Sequence, residues 1–500
     1  MTENLLILTP LLLTLVLALT LRNTLLALGL GTLAGAFILS QFDLIDTAKY
    51  LYQLSINQFY AEQHWQSWHI DVLLTMLLLG IMTKLLSRSH AVTEFSQWVH
   101  HRIRTPRQAR VGVILLSWFV FIDGLFSCLA VGNVCQPLSD KYNIRSDQLA
   151  YFVDSNASPV CSLLPFSSWG PFVIALLAGL SFLPGSALNN FIEIAQTNFY
   201  AIITLVISFV VAWFGIGFGK PQNQNIQHSD DNAQGSPWLL ATPLLTLLIG
   251  STILMLWSGA VTANNWHISD WLTHADVGAT MRNASALSVF VTLAILLFSG
   301  RKASLLIIDV LQGIKTMWFA IAILLFTWLI GSIVKDLEIA ALLASWAELY
   351  LSSQFLLSGM FILCAVMAFT TGSSWGTFAI MIPIGGEIAH IINPELLIPA
   401  LSAVMAGSVF GDHCSPISDT SVLSATSSGC EPHQHVITQL PFALIGALSA
   451  LIGFQSISYD LPYAVSLGLV LATALLVLWI RYGLVSHRGS QFQGDENRTY

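Results

Sequence analysis

The sequence predicts an all-α polytopic membrane protein built from two inverted repeats, each with a re-entrant hairpin and a broken transmembrane helix. Three observations predict it. Of the 500 residues 55% are hydrophobic and only 9% charged, where a soluble globular chain carries about 25% charged residues. Apolar runs of roughly 15 to 22 residues recur from "NLLILTPLLLTLVLALTL" to "YAVSLGLVLATALLVLWI", so about eleven full spans and two irregular ones are expected. The runs lack the period-two alternation of a membrane barrel, so helices are the spanning element. The third observation is a second appearance, some 250 residues on, of the same series of polar interruptions. The first run has no Lys or Arg before it and no small-residue cleavage site after it, so it reads as a retained helix and not a signal peptide.

The first repeat is expected over residues 1–220. Six of the chain's 19 basic residues lie between Lys84 and Arg110, which places that stretch in the cytoplasm. A hairpin at about 111–140 follows, with Asp123 and Gly124 at its tip and Lys141 and Arg145 beyond it. A broken helix is expected at about 149–180, carrying "DSNASP". Residues 221–236 form a polar cytoplasmic linker. The second repeat, 237–455, places a hairpin at about 353–387 and a broken helix at about 399–430. An extra span, 456–484, and a cytoplasmic tail, 485–500, complete the chain.

The repeats align with Trp98 on Trp346 and Gly124 on Gly372 at an offset of 248, and with "DSNASP" on "DHCSP" at 257 to 258. "SSWGPFVI" at Ser167 and "SSWGTFAI" at Ser373 fall out of that order and read as reuse of a similar helix start. The counterpart of the basic Lys84–Arg110 stretch has Lys335, Asp336, Glu338 and Glu348 but no arginine. This puts it on the opposite face, while Lys220, Arg301, Lys302, Arg481, Arg488 and Arg498 fall inside. Inverted repeats of this kind characterise secondary transporters, whose sites lie where broken helices meet near the midplane.

Four segments combine helix-interrupting residues with side-chain oxygens: "FIDGLFS", "FVDSNASPVCS", "FTTGSSWGTF" and "FGDHCSPISDTS". Such backbone is tolerated at membrane depth only where protein buries it or a cavity adjoins it. Gly124, Pro159, Gly372, Gly411 and Pro416 are the expected helix breaks. Freed carbonyls, hydroxyls and carboxylates suit a hard cation such as sodium, while helix N-termini at the same breaks suit an anion; the motif alone does not choose. A carboxylate at membrane depth costs about 2.5–3.5 kcal/mol on insertion scales. Burial favours its protonated form and a nearby cation its ionised form, so one group can hold either a proton or a metal ion.

Asp154 and Asp412 are the expected core of the site, with Asp123 and Asp419 as relay or supporting groups. Ser155, Asn156, Ser158, Thr371, Ser373, Ser374, Ser415, Ser418 and Thr420 are the candidate oxygen ligands. Asp419 is equally a candidate helix N-cap. His413 is a candidate for pH modulation and, on the same footing, a hydrogen-bonded structural residue. Asp140 and Asp147 read as caps or loop residues, and Trp169 and Trp375 as packing at helix starts. The six cysteines form no CxxC pair and read as buried free thiols. No GxxxxGK[ST], GxSxG or HExxH occurs, which argues against ATP-driven transport by this chain and against hydrolysis. No basic stripe suggests nucleic acid.

"GSVFGDHCSPISDTSVLSATSSGC" followed by "HVITQLPFAL" resembles the signature of the NhaC family of sodium/proton antiporters. "TGSSWGTFAIMIPI", "LSDKYNIRSDQLAYFVDSNASPVC" and "SSWGPF" resemble that family's other motifs, and the likeness runs from about Thr24 to Phe454. It implies a secondary active carrier of the ion transporter superfamily in a bacterial inner membrane, homodimeric, working by an elevator mechanism, with sodium and protons as coupling ions and no cofactor. Two positions depart from the family pattern. The first hairpin reads "FIDGLFS", with Ile122 and Gly124 where an acidic pair before an aromatic is common, and Gln136 replaces a frequent arginine. Gly124 makes room for a larger solute, so the alternative is sodium- or proton-coupled transport or exchange of a small organic acid or amino acid through the same site.

Overall fold

The computed structural model describes residues 2–21, 23–61, 63–89, 91–100, 102–218, 237–263, 271, 274–337 and 352–483. The linker at 221–236, the segment around Trp346 and the tail at 485–500 lie outside the described residues. With no water in a bilayer core, backbone N–H and C=O groups must be satisfied within their own segment, and a helix does this. The described chain is accordingly helical except for Tyr60–Ala61 (β1) paired antiparallel with His64–Trp65 (β2). This two-residue ribbon leaves the expected all-α class unchanged.

Five helices come first: α1 (Thr2–Leu21), α2 (Thr24–Leu39), α3 (Leu44–Asn57), α4 (Ser67–Arg88) and α5 (Ala91–His100). Then follow α6 (Pro106–Phe119), α7 (Gly124–Lys141), α8 (Ser146–Leu163), α9 (Trp169–Ala178), α10 (Ala187–Thr197) and α11 (Phe199–Phe214). Past the linker lie α12 (Trp238–Ala263), α13 (Val277–Phe298) and α14 (Ala303–Asp336), and then α15 (Leu356–Thr371) and α16 (Ser374–Ile392). The last are α17 (Leu397–Cys414), α18 (Asp419–Ser427), α19 (Pro432–Ser458) and α20 (Tyr463–Leu478). Among the described residues nine helices are long and apolar enough to cross a membrane, or up to eleven if each of two bent pairs counts as one span. The protein is therefore a multi-pass membrane protein. By contrast α6, α9 and α18 have 14, 10 and 9 residues, short of the ~20 that a crossing needs.

Two groups of helices pack internally. In the first, α4 lies against α13 and α14, α12 against α13, and α2 against α14. Buried carboxylates fix its register: Asp71 on α4 pairs with Arg282 on α13, and Asp309 on α14 takes Arg301 at 2.6 Å and Arg88 at 3.5 Å. In the second, α8 lies at the centre of α6, α7, α11, α18 and α19, and α15 crosses α17. Every residue of α8 from Asp147 to Ser162 is buried.

The helix interruptions have local causes. Leu164 precedes Pro165 and Ser415 precedes Pro416; both are extended, with ψ 120° and 126°, and they end α8 and α17, as steric conflict with a proline ring requires. Gly372 ends α15 in the left-handed region at φ 66°. Asp123 ends the first hairpin's turn by accepting the Phe126 N–H as N-cap of α7.

Two expected breaks are corrected. Pro159 sits inside α8, which continues to Leu163; the loss of one backbone bond is tolerated in a fully packed helix, and Pro165 terminates it instead. Gly411 lies inside α17. There a Cβ would fall 2.1 Å from the Ala365 carbonyl oxygen, and at Gly407 2.2 Å from that of Phe361. The four-residue spacing thus allows two helix backbones to touch, the usual service of small residues in membrane bundles.

Gly407→Val should lower stability by about 1–3 kcal/mol through overpacking at this crossing, read as a fall in the thermal unfolding midpoint in detergent. Gly331→Ala, which meets nothing within 4 Å, is the control; equal shifts in the two variants would refute the close crossing.

Candidate functional site

The ends of the interrupted helices meet around a cavity of about 90 Å³. Its wall is built from Asp123–Leu125, Trp169, Gly372–Trp375, Asp412 and Ser418–Thr420, closed by the Thr316–Ala320 stretch of α14. Four helices begin here: α7 at Gly124, α9 at Trp169, α16 at Ser374 and α18 at Asp419. Each N-terminus presents roughly half a positive charge, so the four together amount to about +2. Three carboxylates line the same wall, and with all three ionised they exceed that by about one negative charge.

The carboxylates differ in how they are held. Asp123 is buried, with Oδ1 accepting the Phe126 N–H at 3.0 Å and Oδ2 the Ser168 hydroxyl at 2.7 Å. Asp412, also buried, accepts the Ser374 hydroxyl at 2.8 Å through Oδ2. Its Oδ1 accepts no hydrogen bond. A buried carboxylate oxygen without a donor is costly unless something fills the role. Asp419 is exposed at the cavity edge as the first residue of α18, and Ser418 occupies the N-cap position expected of it.

Asp154 is not in this wall. It is wholly enclosed on α8, where Oδ2 accepts from Ser421 at 2.9 Å, His435 Nε2 at 3.1 Å and Gln439 Nε2 at 2.8 Å, and Oδ1 from Ser424 at 3.4 Å. Asp154 and Asp412, aligned with each other in the expected repeat, therefore occupy different surroundings. His413 follows Asp412 but points about 100° away around the helix. Its ring lies between Ser155 at 3.1 Å and Tyr200 at 2.7 Å, not against Asp412. The Gln439 amide bonds both Asp154 and the His413 carbonyl, so the network adjoins the cavity through consecutive residues of α17.

The candidate hydroxyls divide likewise. Ser374 reaches Asp412, while Ser373 caps α16 on the Gly376 N–H. Ser418 and Thr420 bond each other at 3.0 Å on the cavity wall. Ser158 has no hydrogen-bond partner and would lie 3.8 Å from a methyl at Gly124. Turned away from the cavity, Thr371 bonds the Met367 carbonyl, Ser415 the Phe369 carbonyl, and Asn156 the Trp118 indole and Ser208. Both "SSWG" segments open helices, and Trp169 and Trp375 meet edge-on at 5.8 Å. Asp147 is clamped by Arg145 at 2.6 and 2.9 Å in the first turn of α8. All six cysteines are buried and free. Among the described residues no group of three or more His, Cys, Asp or Glu could hold a metal ion.

Sequence reasoning missed His435 and Gln439. The available signal was their four-residue spacing, which puts two polar side chains on one helix face. In a membrane span such a face turns inward.

Comparison with known proteins follows the same lines. The profile of the Na+/H+ antiporter family matches residues 160–457. An uncharacterized protein of Haemophilus influenzae is 34% identical over 469 residues, covering 90% of each chain. The malate-2H(+)/Na(+)-lactate antiporter of Bacillus subtilis is 31% identical over 144 residues, 27% of this chain and 29% of that one. The crystal structure of the YdaH transporter of Alcanivorax borkumensis has the same fold, with a TM-score of 0.56 at 15% identity over 88% of this chain and 98% of that one.

Gln439→Leu should cost about 1–3 kcal/mol, because it strips a donor from a buried carboxylate. In a double-mutant cycle with Asp154→Leu the coupling should be about 0.5–3 kcal/mol, measured by thermal unfolding in detergent. Strict additivity would contradict the network.

Proposed function

Because the chain belongs to the Na+/H+ antiporter family, we propose that it exchanges sodium for protons at the cavity lined by Asp123, Asp412 and Asp419. Membership makes it a secondary transporter and not an enzyme. The observation that carries the site is the convergence of four helix starts on three carboxylates, one of which, Asp412, has an oxygen without a hydrogen bond. With about one negative charge in excess, the site is close to neutral when it holds either one sodium ion or one proton. The unloaded site is charged, and moving a net charge through a low-dielectric layer is expensive. Loaded forms therefore cross and the empty form does not, which is the condition for obligatory exchange.

In this reading the cation and the proton compete for Asp412. Asp154, expected beforehand at the centre of the site, instead anchors α18 and α19 behind the cavity. The order helix pair, interrupted helix, then a further apolar span appears twice, in α6–α11, where that span is the bent pair α10–α11, and in α15–α19, and supports two repeats. Their inversion rests on the basic first stretch and its acidic counterpart. The two internally packed groups support a moving body, α6–α11 with α15–α19, against a scaffold of α2, α4 and α12–α14 through which a homodimer would form. Arg88 and Arg301 meeting on Asp309 support a shared, cytoplasmic face, and the C-terminus is placed on that side of a bacterial inner membrane.

A second reading keeps the cavity and changes the cargo. If two of the aspartates are protonated, the helix ends leave about one positive charge in excess, which suits a carboxylate. A methyl at Gly124 would meet only ordinary contacts at 3.8 to 3.9 Å, so space for part of a small organic acid exists there, and the malate–lactate relative makes that class worth testing.

The test is proton flux from reconstituted liposomes on addition of sodium, lithium or potassium. Sodium-driven flux should be lost in Asp412→Asn, and in wild type the apparent sodium affinity should rise with pH, by up to about tenfold per unit where one proton competes with one ion. Undiminished flux in Asp412→Asn would remove the site assignment. No flux with cations alone, but counterflow of malate or lactate that Gly124→Ala weakens, would install the second reading.

A further inference from the structure

A groove of about 620 Å³ opens between α5, the length of α6 and the end of α11, away from the transport cavity. Its apolar wall includes Phe95 and Phe119, with ring centres 6.0 Å apart, and Trp98 beside Phe95 at 5.5 Å. Two guanidiniums stand on aromatic faces at its rim: Arg102 lies 4.0 Å from the centre of Trp98 and Arg107 5.1 Å from that of Trp213. Trp213 is itself 41% exposed.

The charge of this groove is unbalanced. Arg88, Arg145, Arg282 and Arg301 each meet a carboxylate. Among the described residues neither Arg102 nor Arg107 has an ion-pair partner, and no carboxylate lines the groove. The space is within the range of small-ligand sites but is bounded by rings and aliphatic chains, with the positive charge confined to one end. That is the complement of a molecule with one anionic head and a long apolar body. Basic pockets between membrane helices on the cytoplasmic side hold anionic headgroups by the same physics.

We propose that this groove is a binding site for an anionic phospholipid, its phosphate between Arg102 and Arg107 and an acyl chain along Phe95, Trp98 and Phe119. The site is independent of what the central cavity transports. Its position matters mechanically. The connecting helix α5 joins α4 of one packed group to α6 of the other, so a seated lipid ties the connector to the hairpin and to α11.

The experiment is quenching of intrinsic tryptophan fluorescence in the purified, detergent-solubilised full chain by dibrominated phosphatidylglycerol, with dibrominated phosphatidylcholine and dibrominated oleate as parallel arms. Wild type should saturate with phosphatidylglycerol at about thirtyfold lower concentration than the Arg102→Gln/Arg107→Gln variant, the combined effect of two guanidiniums near a headgroup. Trp98→Phe/Trp213→Phe should lose the saturable quenching while still binding. Arg102→Lys/Arg107→Lys, which keeps the charge, should retain most of the affinity and guards against a variant that merely misfolds. Equal responses to phosphatidylglycerol and phosphatidylcholine, an unchanged response in the glutamine variant, or oleate matching phosphatidylglycerol would each overturn the assignment.

Discussion

A carboxylate sealed inside an apolar bundle must be met by donors, and around Asp154 that requirement ties α8 to α17, α18 and α19. Its two oxygens collect hydroxyls from α18, an imidazole and an amide from α19, and through Gln439 the carbonyl that ends α17. Removing any one of these partners leaves a buried charge short of donors, which costs more than the bond itself contributes in the intact protein. The helices are thereby fixed in register as well as in proximity. Hydrophobic contact alone could not do this in a bilayer, since lipid chains are as apolar as the side chains they would replace.

The interrupted helices solve a second problem. Opening a helix inside a membrane exposes backbone groups that lipid cannot satisfy, yet four such openings are brought together here. Each is closed by local chemistry: prolines after Leu164 and Ser415, a left-handed glycine at 372, an aspartate cap at 123. Gathering their positive ends at one point would be unfavourable without counter-charge. Asp123, Asp412 and Asp419 supply it and overshoot it slightly. A site poised near neutrality between helix ends and carboxylates responds to the gain or loss of a single charge, a useful property in a carrier of ions.

Much of this could be read from composition and local pattern. The spans follow from apolar run length, and the helix ends at Asp123 and Gly372 from "FIDGLFS" and "FTTGSSWGTF". Pro159 and Gly411 were misread for an instructive reason: proline and glycine interrupt helices only where packing does not compensate. Inside fully buried α8 the proline is carried along, and in α17 the glycine permits backbone contact with α15. His435 and Gln439 lie within the "HVITQLPFAL" run that resembles a family motif, yet a run of sequence names no partner for them until the fold supplies one.

By itself the sequence determined the class of protein, some of its interruptions and its family, because run length and proline or glycine chemistry act over a few neighbouring residues. Only the tertiary structure decided that Asp154 and Asp412, which sit in similar short motifs, part company. One is sealed by α18 and α19 and the other faces a cavity with an oxygen unbonded. The reason is physical: a carboxylate's role depends on which donors surround it, and those donors arrive from residues up to 285 positions away along the chain.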